Sequence, residues 1–240
     1  MSIFALTKRL LAAGLIFAAG LGWAGAADFF GSDVKPDNIF SASPVLPATL
    51  KRVVVLPLAH EESRSDLADG CEMLDPVLQA ELINTKRFEV ITVGGPALES
   101  LTELSSWTGA EALPAKFFDS LKQAYGCDAV LFCQLTAFQP YAPLAVGWRM
   151  KLVDVSTQKI IWAADMLYDA GNATVAKGAK QFQQQQQGGP NAPKRIFNFV
   201  SDWIYHGTEP ATEDQWIILK SPRLFGQYSA VKLLQTLPER

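Results

Sequence analysis

LPAKFFDSLKQAYGCDAVLFCQLTAFQPYAPLAVGWRMKLVDVSTQKIIWAADMLY, residues 113–168, sets out a helix, a buried strand and a hairpin in that order. Pro114 suits a first helical turn, where a missing N–H costs nothing. Phe117, Phe118, Leu121, Ala124 and Tyr125 supply an apolar stripe, and Gly126 is the residue that most readily takes the left-handed conformation ending a helix.

The run Asp128-Ala129-Val130-Leu131-Phe132-Cys133-Gln134-Leu135 is too continuously apolar for a half-exposed strand. Both its faces must be covered, so it belongs in the middle of a sheet. Residues 146–155 then alternate, with Val146, Trp148, Met150 and Leu152 against Gly147, Arg149, Lys151 and Val153. Residues 159–168 answer them across the turn Asp154-Val155-Ser156-Thr157-Gln158-Lys159, which makes an antiparallel hairpin.

Upstream, Arg52-Val53-Val54-Val55-Leu56-Pro57 opens a first strand over 52–58, and Arg87-Phe88-Glu89-Val90-Ile91 reads as a second. Between them Leu74, Val77, Leu78 and Leu82 share one helical face, with Asp75 and Pro76 offering a cap and a first-turn proline. Residues 94–111 form a long connection in which 96–101 make a short helix. The expected fold is α/β (α+β): a mixed sheet of about five strands, two parallel β-α-β crossovers followed by an antiparallel hairpin, and helices packed on the sheet.

The phrases Tyr-Gly-Cys-Asp-Ala-Val-Leu-Phe (125–132) and Lys-Leu-Val-Asp-Val-Ser-Thr-Gln-Lys-Ile-Ile-Trp (151–162), in this order of elements, resemble a bacterial envelope family. It is the α/β domain shared by the TolB amino-terminal domain, the curli-secretion lipoprotein CsgG and the penicillin-binding-protein activator LpoB. The resemblance covers about 52–168. It implies a non-catalytic role as an adaptor or as part of an assembly. The sequence departs from the family in two ways: no β-propeller follows the domain, and no lipobox Cys stands near the amino terminus.

Residues 1–26 read as a secretory signal peptide. Lys8 and Arg9 form a positive start, 10–21 an apolar core and Ala24-Gly25-Ala26 a small-residue cleavage site, so the exported chain is expected to begin at Ala27. The apolar run is shorter than the ~20 residues of a membrane-spanning helix, and no later segment is long enough. The expected location is therefore periplasmic or exported, without a lipid anchor or a span after cleavage. Cleavage leaves 19 Lys and Arg against 24 Asp and Glu, a charge of −5. That balance argues against nucleic acid as a partner.

Residues 27–50 form an irregular lead-in, and 51–169 the α/β domain. Residues 170–193 read as a helix ending in a Gln-rich flexible loop, from the run 183–187 followed by Gly188-Gly189-Pro190. Residues 194–240 supply carboxyl-terminal helices that pack on the domain. The first carries Ile196, Phe199, Val200, Trp203 and Ile204; the second opens at Ser221-Pro222 and bears Leu224, Phe225, Tyr228, Val231 and Leu234.

The candidate chemistry is sparse. His60-Glu61-Glu62 follows the first strand, at the carboxyl end where open α/β sheets bind ligands. No second His stands at zincin spacing, and His206 is the only other histidine. A solvated polar loop is the simpler reading. Cys71 and Cys133 are candidate nucleophiles lacking an evident base, and Cys133 fits a small buried hydrophobe. The three cysteines, Cys71, Cys127 and Cys133, permit one intrachain pair at most. Cys127 and Cys133, six residues apart on one strand, are separated by about 20 Å and cannot bond to each other; whether Cys71 and Cys133 do is left open. No phosphate loop, nucleophile elbow or Cys-x-x-Cys occurs.

Catalytic, cofactor and metal residues are thus expected to be none. The aromatic group Phe197, Phe199, Trp203, Tyr205 and Trp216 is a candidate partner-binding patch, with ordinary core as its alternative. The expected function is that of an exported envelope protein that binds or assembles other envelope proteins, its oligomeric state open. The alternatives are a small periplasmic enzyme with a site at His60, Glu61 and Cys71, and a secretion-channel subunit like CsgG.

Overall fold

A computed structural model of the chain describes residues 38–188 and 215–240. The signal-like start, residues 27–37 of the lead-in, the helix expected over 194–206 and the aromatics Phe197, Phe199, Trp203 and Tyr205 lie outside the described residues.

In chain order the elements are β1 (Ile39–Ser41), β2 (Arg52–Val55), α1 (Ala68–Thr85), β3 (Glu89–Thr92), α2 (Gly95–Thr102), α3 (Phe117–Tyr125), β4 (Ala129–Gln139), β5 (Ala145–Asp154), β6 (Ile160–Asp169), α4 (Ala173–Gly188) and α5 (Pro222–Leu234). Short 3₁₀ turns at Ser65–Leu67 and Ile217–Leu219 lead into α1 and α5. One mixed sheet runs β1-β6-β5-β4-β2-β3. β3, β2 and β4 are parallel, while β4, β5, β6 and β1 are antiparallel. The continuously apolar β4 is covered on both faces, as expected of a strand with neighbours on either side.

The sheet has six strands where about five were expected. The addition is β1, a three-residue edge strand inside the segment read as an irregular lead-in, too short to leave a period in the sequence. β4 also runs four residues beyond Leu135, with a register shift between Leu135 and Ala137. At this bulge a Cβ on Gly147 would collide with the Thr136 hydroxyl, so glycine is needed on β5.

Helix α1 begins at Ala68, six residues before the expected Leu74, and Pro76 sits inside it. The Asp75-Pro76 pair mimics a helix start, but the Asp75 carboxylate accepts the Leu58 N–H at 2.9 Å and the Gln79 side-chain N–H at 2.7 Å. It ties α1 to the segment that follows β2. α3 begins at Phe117, after a turn closed by Phe117 N–H on the Pro114 carbonyl, and stops at Gly126 with φ 60°. Ala124, placed on its apolar stripe from the sequence, is exposed.

The faces of the sheet differ. Against one pack α1, α4 and α5, burying Val53, Leu131, Trp148, Leu152, Trp162 and Tyr168. The α1–α5 contact is close: a Cβ on Gly226 would strike the Leu74 side chain, so the glycine sets the approach of the two helices. The glutamine run is not a loop. It continues α4 to Gly188, and the buried Gln183 side chain accepts the Ile218 N–H and donates to the Gln215 carbonyl, both at 3.0 Å.

On the other face α2 and α3 gather Trp107, Phe117, Phe118 and Phe132 at ring-centroid distances of 5.3 to 6.5 Å. That second cluster reaches β2, β4 and only the Val153 end of β5. The outer strands on this side keep no helix over them among the described residues.

Candidate functional site

The uncovered half of the sheet is the surface whose side chains require an explanation. Register decides which residues lie there. Met150, Leu152, Trp162, Ala164, Met166 and Tyr168 point into the α5 side, so Gly147, Arg149, Lys151, Ala163, Asp165, Leu167 and Asp169 point to the open one. Across the ladders Phe40 stands opposite Ala163, Arg149 opposite Asp165, and Leu167 opposite Gly147. Since Gly147 offers no side chain, Leu167 is left 58% exposed, and Phe40 at the edge is 53% exposed.

An ionic row crosses this patch. Arg149 Nε donates to Asp165 Oδ2 at 2.7 Å, and its Nη1 lies 3.9 Å from Glu61 Oε1 and 3.4 Å from Gln134 Oε1. Gln134, 1% exposed, closes the set by pointing its amide at Glu61, 3.5 Å away. A shallow cavity of about 160 Å³ opens here between Glu61, Arg64, Gln134, Thr136 and Arg149. Every cation lining it already faces a carboxylate, for Arg64 forms a two-pronged pair with Asp66 at 2.9 Å on each arm. That pairing raises the Arg64 pKa and lowers that of Asp66, each chiefly through the shared hydrogen bonds. The cavity offers no unpaired positive group to an anion.

The residues of the enzyme alternative do not converge. His60 Nδ1 is 2.9 Å from the Glu61 carbonyl and Glu62 is exposed. Glu61 turns to Arg149 on the open face, while Cys71 is buried in the cluster beneath α1 on the opposite side. Burial, with Asp75 nearby, pushes the Cys71 thiol up to about 12 and raises that of Cys133 as well, so neither is an activated nucleophile. All three cysteines are free, with Cys127 and Cys133 in clusters on opposite faces of the sheet. Among the described residues no three His, Cys, Asp or Glu gather as a metal site, and no helix is long and apolar enough to cross a membrane. Of the aromatic patch only Trp216 is described; it is half-buried, with Lys180 Nζ 5.4 Å from its ring centre.

The sequence reading missed the open face: counting pairs outward from the turn at 154–159 sets Arg149 opposite Ala164, and the register shift between Leu152 and Val153 moves it to Asp165. The missing signal was which face the helices would leave bare.

No protein-family profile and no curated protein matches the chain. Similar solved structures include PelC of Paraburkholderia phytofirmans, described as a dodecamer: 14% identity, 59% of this chain and 86% of that one, TM-score 0.38. Lipoprotein GNA1162 of Neisseria meningitidis is 16% identical over 58% of this chain and 99% of its own, with a TM-score of 0.36. The carboxyl-terminal domain of LpoB from Escherichia coli is 18% identical over 49% of this chain and 81% of its own, at 0.32. LpoB is one of the three proteins that the order of elements resembles in sequence.

Proposed function

We propose that this chain is an exported, non-catalytic protein of the bacterial envelope that works by holding a partner protein on the uncovered half of its sheet. The observation that carries the reading is the open face of β5, β6 and β1, where Phe40 and Leu167 stand in solvent beside the Arg149–Asp165 pair. Apolar groups flanking a small ionic row are the ingredients of a docking patch. The leader-like 1–26 and the resemblance of 52–168 to the TolB, CsgG and LpoB domains support the envelope setting.

The test is a photoreactive amino acid placed at Ala163 and, separately, at Ile83 on the solvent side of α1, irradiated in intact cells. A discrete adduct from Ala163, absent from Ile83 and lost on Leu167→Asp, supports the reading. Equal adducts from both positions, or none from Ala163, overturn it.

A further inference from the structure

The cavity between Glu61, Arg64, Gln134, Thr136 and Arg149 stands where the parallel part of the sheet ends. A bridge between Ala59 and Gln134 carries the β2–β4 pairing up to its rim, and Glu61 follows two residues later. The carboxyl end of parallel strands is the usual place for a ligand in an open α/β sheet.

Its charges do not balance. Asp165 holds Arg149 at 2.7 Å and Asp66 holds Arg64 at 2.9 Å, so each arginine has a carboxylate of its own. The third carboxylate, Glu61, has no cation closer than the 3.9 Å to Arg149 Nη1 among the described residues. Gln134 is placed no better: its Nε2 is 3.5 Å from Glu61 and its Oε1 3.4 Å from Arg149 Nη1. Both distances exceed the roughly 2.7–3.2 Å of an ordinary N–H···O bond. Yet Gln134 is 1% exposed, in a strand that is apolar from Ala129 to Cys133 before it, and a buried amide is normally well bonded. A buried amide and an uncommitted carboxylate therefore converge on one cavity that carries one negative charge in excess.

The missing group is a cation, because both arginines are already engaged and an anion would meet Glu61. It must donate in more than one direction, to the Glu61 carboxylate and to the Gln134 carbonyl oxygen beside it. A guanidinium does this: it is planar, presents five N–H groups, gives a carboxylate two parallel bonds and is more weakly hydrated than an ammonium. The volume of about 160 Å³ is several times the ~30 Å³ of a water molecule, enough for such a head group with part of its stem against Leu67. We infer that this cavity is a binding site for a guanidinium group, held by Glu61 and Gln134. Its occupancy does not depend on a partner at Phe40 and Leu167.

The experiment titrates the purified full chain, ¹⁵N-labelled, with n-butylguanidinium. Saturable shifts of the Gln134 side-chain amide and the Thr136 backbone amide are expected, with Val90 at the far edge of the sheet unmoved. n-Butylurea, the neutral isostere, should not bind, and n-butylammonium should bind more weakly. Glu61→Gln should lower the affinity at least about tenfold, while Glu62→Gln, an exposed acid outside the cavity, leaves it unchanged. No saturable shift at Gln134, equal affinity for the urea or the ammonium, or a Glu61→Gln protein that binds like the parent overturns the site. A capped arginine, acetyl-Arg-methylamide, identifies the source: affinity equal to that of the bare probe places the guanidinium on a protein side chain, and binding of the bare probe alone places it on a free small molecule. The cell crosslink from Ala163 reads the partner separately, so the two readings fail independently.

Discussion

Ser229→Ala isolates one hydrogen bond at the centre of the molecule. Trp148 Nε1 donates to Ser229 Oγ at 2.8 Å, and Ser229 Oγ donates in turn to the Gly226 carbonyl at 2.9 Å; both side chains are fully buried. Alanine leaves the indole N–H without an acceptor in the dry α5 contact, a penalty of about 1 to 3 kcal/mol. Alanine is also the better helix former, which returns at most about 0.5 kcal/mol. The desolvated donor wins, and the net loss is about 1.5 kcal/mol. For a chain of this size that lowers Tm by roughly 3–6 °C. Thermal unfolding followed by circular dichroism reads the shift. The cause is checked by repeating the substitution in a Trp148→Phe background, where no N–H is left to orphan and the drop should largely vanish. A Ser229→Ala protein that melts with the parent, or an undiminished drop in the second background, would refute the reasoning.

Four further outcomes follow from the packing. Gln183→Ala strips the acceptor from the buried Ile218 N–H and should lower stability by about 1–3 kcal/mol in urea, while exposed Gln185→Ala changes little; equal effects would count against the bridge. Cys71, its thiol pushed up to about 12 by burial, should resist iodoacetamide at pH 8 until the chain is unfolded, and labelling at the rate of a free thiol by mass spectrometry would contradict this. Burial also raises the Asp75 pKa, against the Leu58 N–H, so the folded state holds this proton more tightly and stability from this group falls as pH rises from about 4 through the raised value; Asp75→Asn should remove that part of the slope, and identical urea profiles across pH would sink the assignment. Truncation before Ser221 removes Phe225, Tyr228, Leu233, Leu234 and Leu237, each at most 3% exposed, worth about 1.5 to 3 kcal/mol apiece against a net stability of about 5–15, so the product should not fold, and a cooperative melt would say otherwise.

What could be read in the sequence was whatever repeats at short range. β5 and β6 alternate at period two around a recognisable turn, and the uninterrupted run of β4 marks a strand covered on both faces. The start of α1 misled because Asp75-Pro76 carries the residues of a cap while serving a contact to Leu58, 17 positions back. Gln183 looked like low complexity because its partners lie 32 and 35 residues ahead. The candidate site was harder still. Arg149 meets Asp165 only through the register shift between Leu152 and Val153, and Leu167 is exposed only because α2 and α3 stop short of β6 and Gly147 yields to the bulge at Thr136. None of those facts is local.

The final residues close the molecule. Arg87 Nη1 donates to the Pro238 carbonyl at 2.8 Å, Arg240 Nη1 to the Arg87 carbonyl at 2.6 Å, and Leu46 N–H to the Glu239 carbonyl at 2.7 Å. These contacts join positions separated by 151 and 153 residues or more. Until its last turn of helix is made, the chain can neither form them nor seat α5 beneath the sheet. Contacts so distant in sequence slow folding. The amino-terminal strands stay incompletely buried until the carboxyl end is in place.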